Sequence, residues 1–415
     1  MRRIVMSGLV ALAAVLGSAG TAVAVPAAPV PATAAAGAVG PFPGMRAEAA
    51  GSGAFFGFGA KISCGSPTAC LAIGSSSTTV TGSATAEAWN GTAWKSVAVP
   101  VPKGASAPGL TGVSCKSATS CLVVGADVTA ASDGGDVPSA LTWNGKVLTP
   151  TAALPVLKGV SLIGLDAVSC VTATSCVAVG TSFGATSTLL VVANWNGAKW
   201  TLRTAKNPGG VMSAEPGAIR CFSVTSCVIA GTSVTNSGAE KLLMATWNGK
   251  AFTAMKAPSP AGAKSTTLLT DLSCTSLTRC VAVGLSQNPA GTTGFGFAEV
   301  LNGGTWTADK ITWPKADTES FVLGVSCATA TNCIAVGAAG TSNSGAAKAL
   351  SYNGKAWSRL SVPGPGKGKS SLLTGVNCPK ANDCVALGEI GASGAKTPAT
   401  LSGVWNGKSW KLAAS

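Results

Sequence analysis

Histidine is missing altogether from this 415-residue sequence, and tyrosine occurs once, at Tyr352. Without histidine the chain lacks the commonest general base near neutral pH and the commonest side-chain metal ligand. Charge is sparse as well: 11% of residues carry it, and the only arginines after residue 52 are Arg203, Arg220, Arg279 and Arg359. No Lys/Arg cluster falls on one element, which argues against nucleic acid as a partner. No segment carries a convincing helical period. The one strongly apolar run, residues 4–16, is shorter than the ~20 residues of a membrane-spanning helix, and no second apolar span follows it.

Lysine outweighs acid, leaving a formal charge of +14. Such a balance favours anionic partners, although solvated loop lysines that keep a protein soluble account for it equally simply. Residues 1–24 read as a secretory signal: Arg2 and Arg3 form a positive start, Ile4 to Leu16 an apolar centre, and Ala22-Val23-Ala24 a small-residue cleavage site. The mature chain then carries no membrane span and is expected to be secreted. Residues 25–52, with Pro26, Pro29, Pro31, Pro41 and Pro43, read as a disordered Ala/Pro linker.

From residue 53 to 415 one pattern recurs seven times, clearest at Val168 to Trp200: VSCVTATSCVAVG, a variable run, then ANWNGAKW. Its skeleton is C-x5-C-x3-G followed by W-N-G-x-x-W. The cysteines are Cys64/Cys70, Cys115/Cys121, Cys170/Cys176, Cys221/Cys227, Cys274/Cys280, Cys327/Cys333 and Cys378/Cys384, which accounts for all fourteen. Successive first cysteines lie 51, 55, 51, 53, 53 and 51 residues apart.

Each unit reads as four strands. Strand A is a short apolar run ending at the first cysteine. Strand B is the C-V-A-V-G run, apolar enough to be covered on both faces, and ends at a glycine: Gly74, Gly125, Gly180, Gly231, Gly284, Gly337 or Gly388. Strand C precedes Asn-Gly and strand D follows it. Asn-Gly, present in all seven copies from Asn90-Gly91 to Asn406-Gly407, tolerates the positive φ of a tight hairpin. The large residues flanking it sit five apart, which places both on one sheet face. Their replacements, Leu148, Phe252, Leu301 and Tyr352, are themselves apolar or aromatic, so the slots read as packing.

Cysteines six apart across an A–B tip lie opposite each other on one face and can close a cross-strand disulfide. Export supplies an oxidising compartment. A loop so short gives each bond about 2 kcal/mol in the chain-entropy model. The rival reading, a metal site, fits poorly, because C-x5-C is not a zinc-knuckle spacing and no histidine completes it. No cofactor is expected.

Seven four-stranded antiparallel units of this size make the fold class all-β, a seven-bladed β-propeller with one disulfide per blade. An open β-solenoid or a string of disulfide-braced modules is the alternative. V-A-V-G at Val177 to Gly180 and W-N-G-x-x-W at Trp195 to Trp200 resemble the repeat grammar of the Ycf48-like photosystem assembly factors and of Asp-box (BNR) propellers. The paired cysteines depart from it. The resemblance implies the propeller fold and little about function.

Asp-box propellers include sialidases, which resemble one another in an arginine triad and a tyrosine nucleophile. Here Tyr352 fills a turn slot, no triad stands out, and no carboxylate pair has a spacing that predicts convergence. Residues 364–370 mimic a phosphate loop, but join strands rather than a strand to a helix. Asp133-Gly134-Gly135-Asp136 could ligate calcium, but reads as a polar turn. Asn90-Gly91-Thr92 fits a glycosylation sequon, yet the same turn recurs in every unit.

The sequence therefore points to a monomeric, non-catalytic binding scaffold for a glycan, an anionic polymer or an extracellular protein. A carbohydrate-active hydrolase or lyase is the runner-up. In such a ring the A–B tips and Asn-Gly turns share one face, and the variable B–C and D–A loops share the other. The distance from second cysteine to Asn varies from 20 to 23 residues. Varied loops on a rigid scaffold are the expected ligand face. They hold Asp133, Asp136, Phe183, Asn236, Asn288 and Asn343, with Trp313 as the only tryptophan outside the repeat slots.

Overall fold

The computed structural model describes residues 60–76, 83–101, 105–129, 136–155, 157, 162–183, 188–258, 260, 267–287, 294–341, 344–392 and 399–414. The signal segment 1–24 and the linker 25–52 lie outside them, as does the start of the repeat region before residue 60. The described residues form seven four-stranded sheets, each built from four consecutive strands in the order A-B-C-D, every pairing antiparallel. The solenoid and the string of modules are thereby set aside, because the first and last sheets pack together. Cys70 and Trp89 of blade 1 bury against Val385 of blade 7, and Ala60 and Ala72 against Leu387. Among the described residues no strand crosses from one sheet to another, so side-chain packing closes the ring.

Blade 3 shows the frame. Its strands are A (Leu162–Thr172), B (Ser175–Phe183), C (Thr188–Trp195) and D (Trp200–Ala205). Cys170, Cys176, Trp195 and Trp200 face one another across them in one continuous row. The disulfide Cys170–Cys176 spans a Cα separation of 3.9 Å, the close approach of a non-hydrogen-bonded antiparallel pair. The tryptophan rings sit 5.2 Å apart. Val177, Ala178 and Val179 of strand B are fully buried, as a strand covered on both faces requires.

The same bond recurs in every blade. Cys64–Cys70, Cys115–Cys121, Cys221–Cys227, Cys274–Cys280, Cys327–Cys333 and Cys378–Cys384 each close within their own sheet, as Cys170–Cys176 does. No cysteine is free among the described residues. The second cysteine of each pair opens strand B and is buried: Cys70, Cys121, Cys176, Cys227, Cys280, Cys333 and Cys384. Cys121, Cys227 and Cys384 pack into the apolar cores of blades 2, 4 and 7. These sulfurs are therefore core atoms and bracing bonds. They present no thiol to a ligand, and they belong to the frame rather than to a functional site.

Two boundaries differ from the expected ones. Strand A does not stop at its cysteine but runs two residues past Cys170 into the tip. Strand B does not end at its glycine: Gly180 is mid-strand, and pairing continues through Thr181, Ser182 and Phe183. The reason is a bulge in strand A directly opposite, between Ala167 and Leu165, which pushes the A backbone against strand B. A Cβ on Gly180 would fall 1.7 Å from the Gly164 carbonyl oxygen, and the equivalent glycines of blades 2 and 4 to 7 would meet strand A as closely, at 1.8 to 2.2 Å. These glycines are demanded by contact with the neighbouring backbone rather than by a turn.

The Asn-Gly turns divide their work. All seven glycines take positive φ, as at Gly197 (91°). The asparagine contributes its side chain: Asn196 Oδ1 accepts from the amides of Ala198 and Lys199 at 3.0 and 2.8 Å, an Asx turn repeated in six blades. Blade 5 instead turns on two glycines, Gly303 and Gly304. The C–D turn also touches the A–B tip of its own blade, because a Cβ on Gly197 would come within 2.8 Å of Thr174.

Adjacent blades are stitched by one repeated hydrogen bond. The amide of Cys115 donates to Ser63 Oγ, Cys170 to Ser114, Cys221 to Ser169, Cys327 to Ser273 and Cys378 to Ser326, each at 2.9 Å. The serine is the residue just before the first cysteine of the preceding blade. At the two remaining junctions that residue is Arg220, between blades 4 and 5, and Asn377, at the ring closure.

Two substitutions test this frame. Gly197→Val combines a β-branched side chain at positive φ with a collision at Thr174, and should lower the thermal midpoint by several degrees. Ser169→Ala leaves the buried Cys221 amide without its acceptor, a loss of about 1–3 kcal/mol, and should lower the midpoint as well. An unchanged melting curve for either would contradict the contact assigned to it.

Candidate functional site

The seven A strands line a central channel with an empty volume of about 820 Å³. Its wall follows from the repeat. Three residues before the first cysteine, the chain places Gly112, Ala167, Ala218, Gly324 and Gly375, all small, but Lys61 in blade 1 and Asp271 in blade 5. One residue before it, the serines give way to Arg220 in blade 4. Lys61, Arg220 and Asp271 all line the channel.

These three charges are held differently. Lys61 Nζ reaches across the channel and donates to the Thr270 carbonyl. Asp271 Oδ1 accepts from the Leu272 amide and Oδ2 from the Val325 amide of the next blade, both at 2.9 Å. Burial pushes the Asp271 carboxyl up, while Lys61, the two amides and Arg220 pull it down. Arg220 is exposed to the channel solvent. The surrounding strands lower its guanidinium pKa and Asp271 raises it, and a guanidinium stays charged throughout the range of protein titrations. The half-buried Asp166, one position further from the cysteine in blade 3, is pushed up to about 8, first by burial and then by Glu215, against a hydrogen bond from Thr181.

The expected ligand face is only partly described. Asn236 is exposed in the B–C turn of blade 4. Trp313 packs with Ile311 and Trp357 against the core between blades 5 and 6, and its Nε1 is buried without a partner. Its ring is partly buried against that core. Phe183 ends strand B of blade 3, and Asp136 begins strand C of blade 2. Asp133, Asn288 and Asn343 lie outside the described residues. Asn236 belongs to blade 4 and Trp313 follows strand D of blade 5. Residues 364–370 connect strand D of blade 6 to strand A of blade 7, so the phosphate-loop mimic is a connector. Among the described residues, no group of three or more His, Cys, Asp or Glu could hold a metal ion.

The sequence reading passed over the channel charges, although their signal was in the repeat: a charged residue at a position held small, or as serine, in most other units. Tyr352 does pack as expected, 5.0 Å from Trp357. A smaller cavity of about 320 Å³ opens where Leu301 and Tyr352 replace tryptophans between blades 5 and 6, with Arg279 at its rim. Arg203 is structural: it lies 4.9 Å over the Trp247 ring and donates to the Gly249 carbonyl.

Two glutamates occupy equivalent inward positions two residues before the first large turn residue, Glu87 in blade 1 and Glu299 in blade 5. Both are buried, and neither carboxylate oxygen of Glu299 has a partner. Burial raises Glu87 to about 7, and burial with nearby Asp309 raises Glu299 to about 8. A carboxyl whose folded pKa lies above its unfolded value folds best protonated. The contribution of Glu299 to stability is therefore fully present below about 4.5 and is lost as pH rises towards 8. Glu299→Gln should melt close to the parent at pH 4.5 and progressively above it from pH 6 to 9. A midpoint difference independent of pH would contradict the assignment.

No protein-family model matches this chain, and no curated protein does. Solved structures do. One titled "YCF48 bound to D1 peptide" shares 12% identity over 83% of this chain and 90% of that one, with a TM-score of 0.45. The SapL1 lectin in complex with alpha methyl fucoside shares 13% over 72% and 92%, at 0.40. An ulvan lyase, described as a polysaccharide lyase, shares 8% over 83% and 91%, at 0.46. At such identities the likeness is one of architecture. The strand order of its own seven sheets makes the chain a seven-bladed β-propeller.

Proposed function

We propose that the protein is an exported, monomeric, non-catalytic binding scaffold for a cell-envelope or extracellular glycan or an anionic wall polymer. The observation that carries this reading is where the repeat breaks. Packing positions hold to a narrow set of residues in every blade, whereas the channel wall exchanges small residues and a serine for Lys61, Asp271 and Arg220. Departures from a local rule that bring no packing gain mark functional positions. Seven disulfides support an oxidising compartment, in keeping with export through residues 1–24. Among the described residues no helix is long and apolar enough to cross a membrane. The excess of lysine favours an anionic polymer over a neutral one.

The ligand enters from the face of the B–C and D–A loops, where length and composition vary from blade to blade. Retention on insoluble cell-wall polysaccharide tests this. Exchanging residues 236–239 and 315–317, with Trp313 left in place, should abolish retention while the melting curve stays intact. Replacing Lys146, Lys250 and Lys355 by alanine at the opposite turns should leave retention unchanged. Retention lost with those lysines would put the ligand on the wrong face. Release of reducing ends from the bound polysaccharide would make the protein an enzyme.

A further inference from the structure

We propose that Arg220 anchors an oxyanion subsite inside the central channel, and that the group it takes is a carboxylate or phosphate of the bound polymer. This deepens the scaffold reading and rests on it. The argument begins with what Arg220 displaces. At five junctions a serine in this position accepts the amide of the next blade's first cysteine. At the junction of blades 4 and 5 that acceptor is gone, because an arginine side chain has only donors.

Only the through-space attraction of Asp271 offsets the exchange. Among the described residues no hydrogen bond or ion pair engages the Arg220 guanidinium, which is exposed to the channel solvent. The other charges nearby are committed. Both oxygens of Asp271 hold backbone amides, and Lys61 is tied to the Thr270 carbonyl. Arg220 is therefore a donor fork without a hydrogen-bond partner in a channel whose other charged side chains are Lys61 and Asp271. Its five N–H groups match the two oxygens of a carboxylate or phosphodiester in a bidentate pair. Lys61 adds a point charge with two further donors. The channel around Arg220 and Lys61 is open to solvent, so an anionic group of a polymer can reach both side chains.

The test uses the full chain and the variants Arg220→Ser and Arg220→Lys. Binding of galacturonate, oligogalacturonate, poly(glycerol phosphate) and a neutral maltohexaose control is measured by calorimetry at low and moderate salt, beside thermal melts. Arg220→Ser restores the stitch to Cys274, so its midpoint should equal or exceed the parent's. Its affinity for the anionic probe should fall at least tenfold, with the neutral control unmoved. Arg220→Lys keeps the charge without the fork and should recover only part of the loss. Whichever polymer, uronate or phosphate, shows this dependence identifies the source of the group.

The subsite is overturned if the parent binds no anionic probe, if Arg220→Ser binds as well as the parent, or if Arg220→Ser melts below it. Failure of the scaffold reading looks different. Wall polysaccharide would then not be retained at all, while galacturonate still bound in an Arg220-dependent way. Retention that depends on the loops but ignores Arg220 would leave the scaffold standing and remove the subsite.

Discussion

The ring depends on the direction in which one amide points. In each blade the two cysteines form a narrow, non-hydrogen-bonded pair, so the first cysteine's N–H turns away from its own sheet. Strand A is the innermost strand, and that amide would otherwise be an unpaired donor on an exposed sheet edge. At five of the seven junctions a serine of the preceding blade accepts it. The disulfide fixes the register of strand A on strand B. Register sets the direction of the amide, and the amide ties blade to blade. A slip of one residue would turn both the serine and the amide to the wrong side. Disulfide and serine thus act as one device, which explains why they are adjacent in the sequence.

Much of this architecture was legible in the chain. The seven-fold spacing of cysteines, the Asn-Gly pairs and the five-residue spacing of Trp195 and Trp200 encode local geometry directly. What was not legible arises where two elements meet. Gly180 looked like the end of a strand, but its requirement comes from a bulge in the neighbouring strand, which composition does not announce. Ser169 looked like filler beside Cys170, although its partner lies 52 residues away. The asparagine of the turns was read for backbone freedom, whereas in six blades its contribution is the Oδ1 that accepts two amides, as at Asn196. Ring closure could not be read at all, because among the described residues it is carried by packing between the first and last blades.

The candidate site shows the same limit. Trp313 stood out because it lies outside the repeat slots, and it proves to be packed between blades 5 and 6. Arg220 did not stand out, because it lies inside the repeat and immediately before a cysteine. Novelty outside a repeat is weak evidence of function, since linkers also need apolar anchors. A charge substituted at a position that bonds the ring together is more informative, because it removes a contact that five other junctions retain.

The charges within the frame fall into two groups with different physical consequences. Glu87 and Glu299 lie in packed blade faces, and burial keeps their protons on into the neutral range. They affect how stability varies with pH but reach no solvent that a ligand could occupy. Lys61, Asp271 and Arg220 line an open channel, where a charge can be answered by something other than protein. Of these, Asp271 is also a stitch: it accepts the Val325 amide and so bonds blade 5 to blade 6 as a serine does elsewhere. Two of the three channel charges therefore contribute to the ring by their own hydrogen bonds. Arg220 does not, and it is at Arg220 that the cohesion of the frame and the chemistry of the channel make opposite demands on one residue.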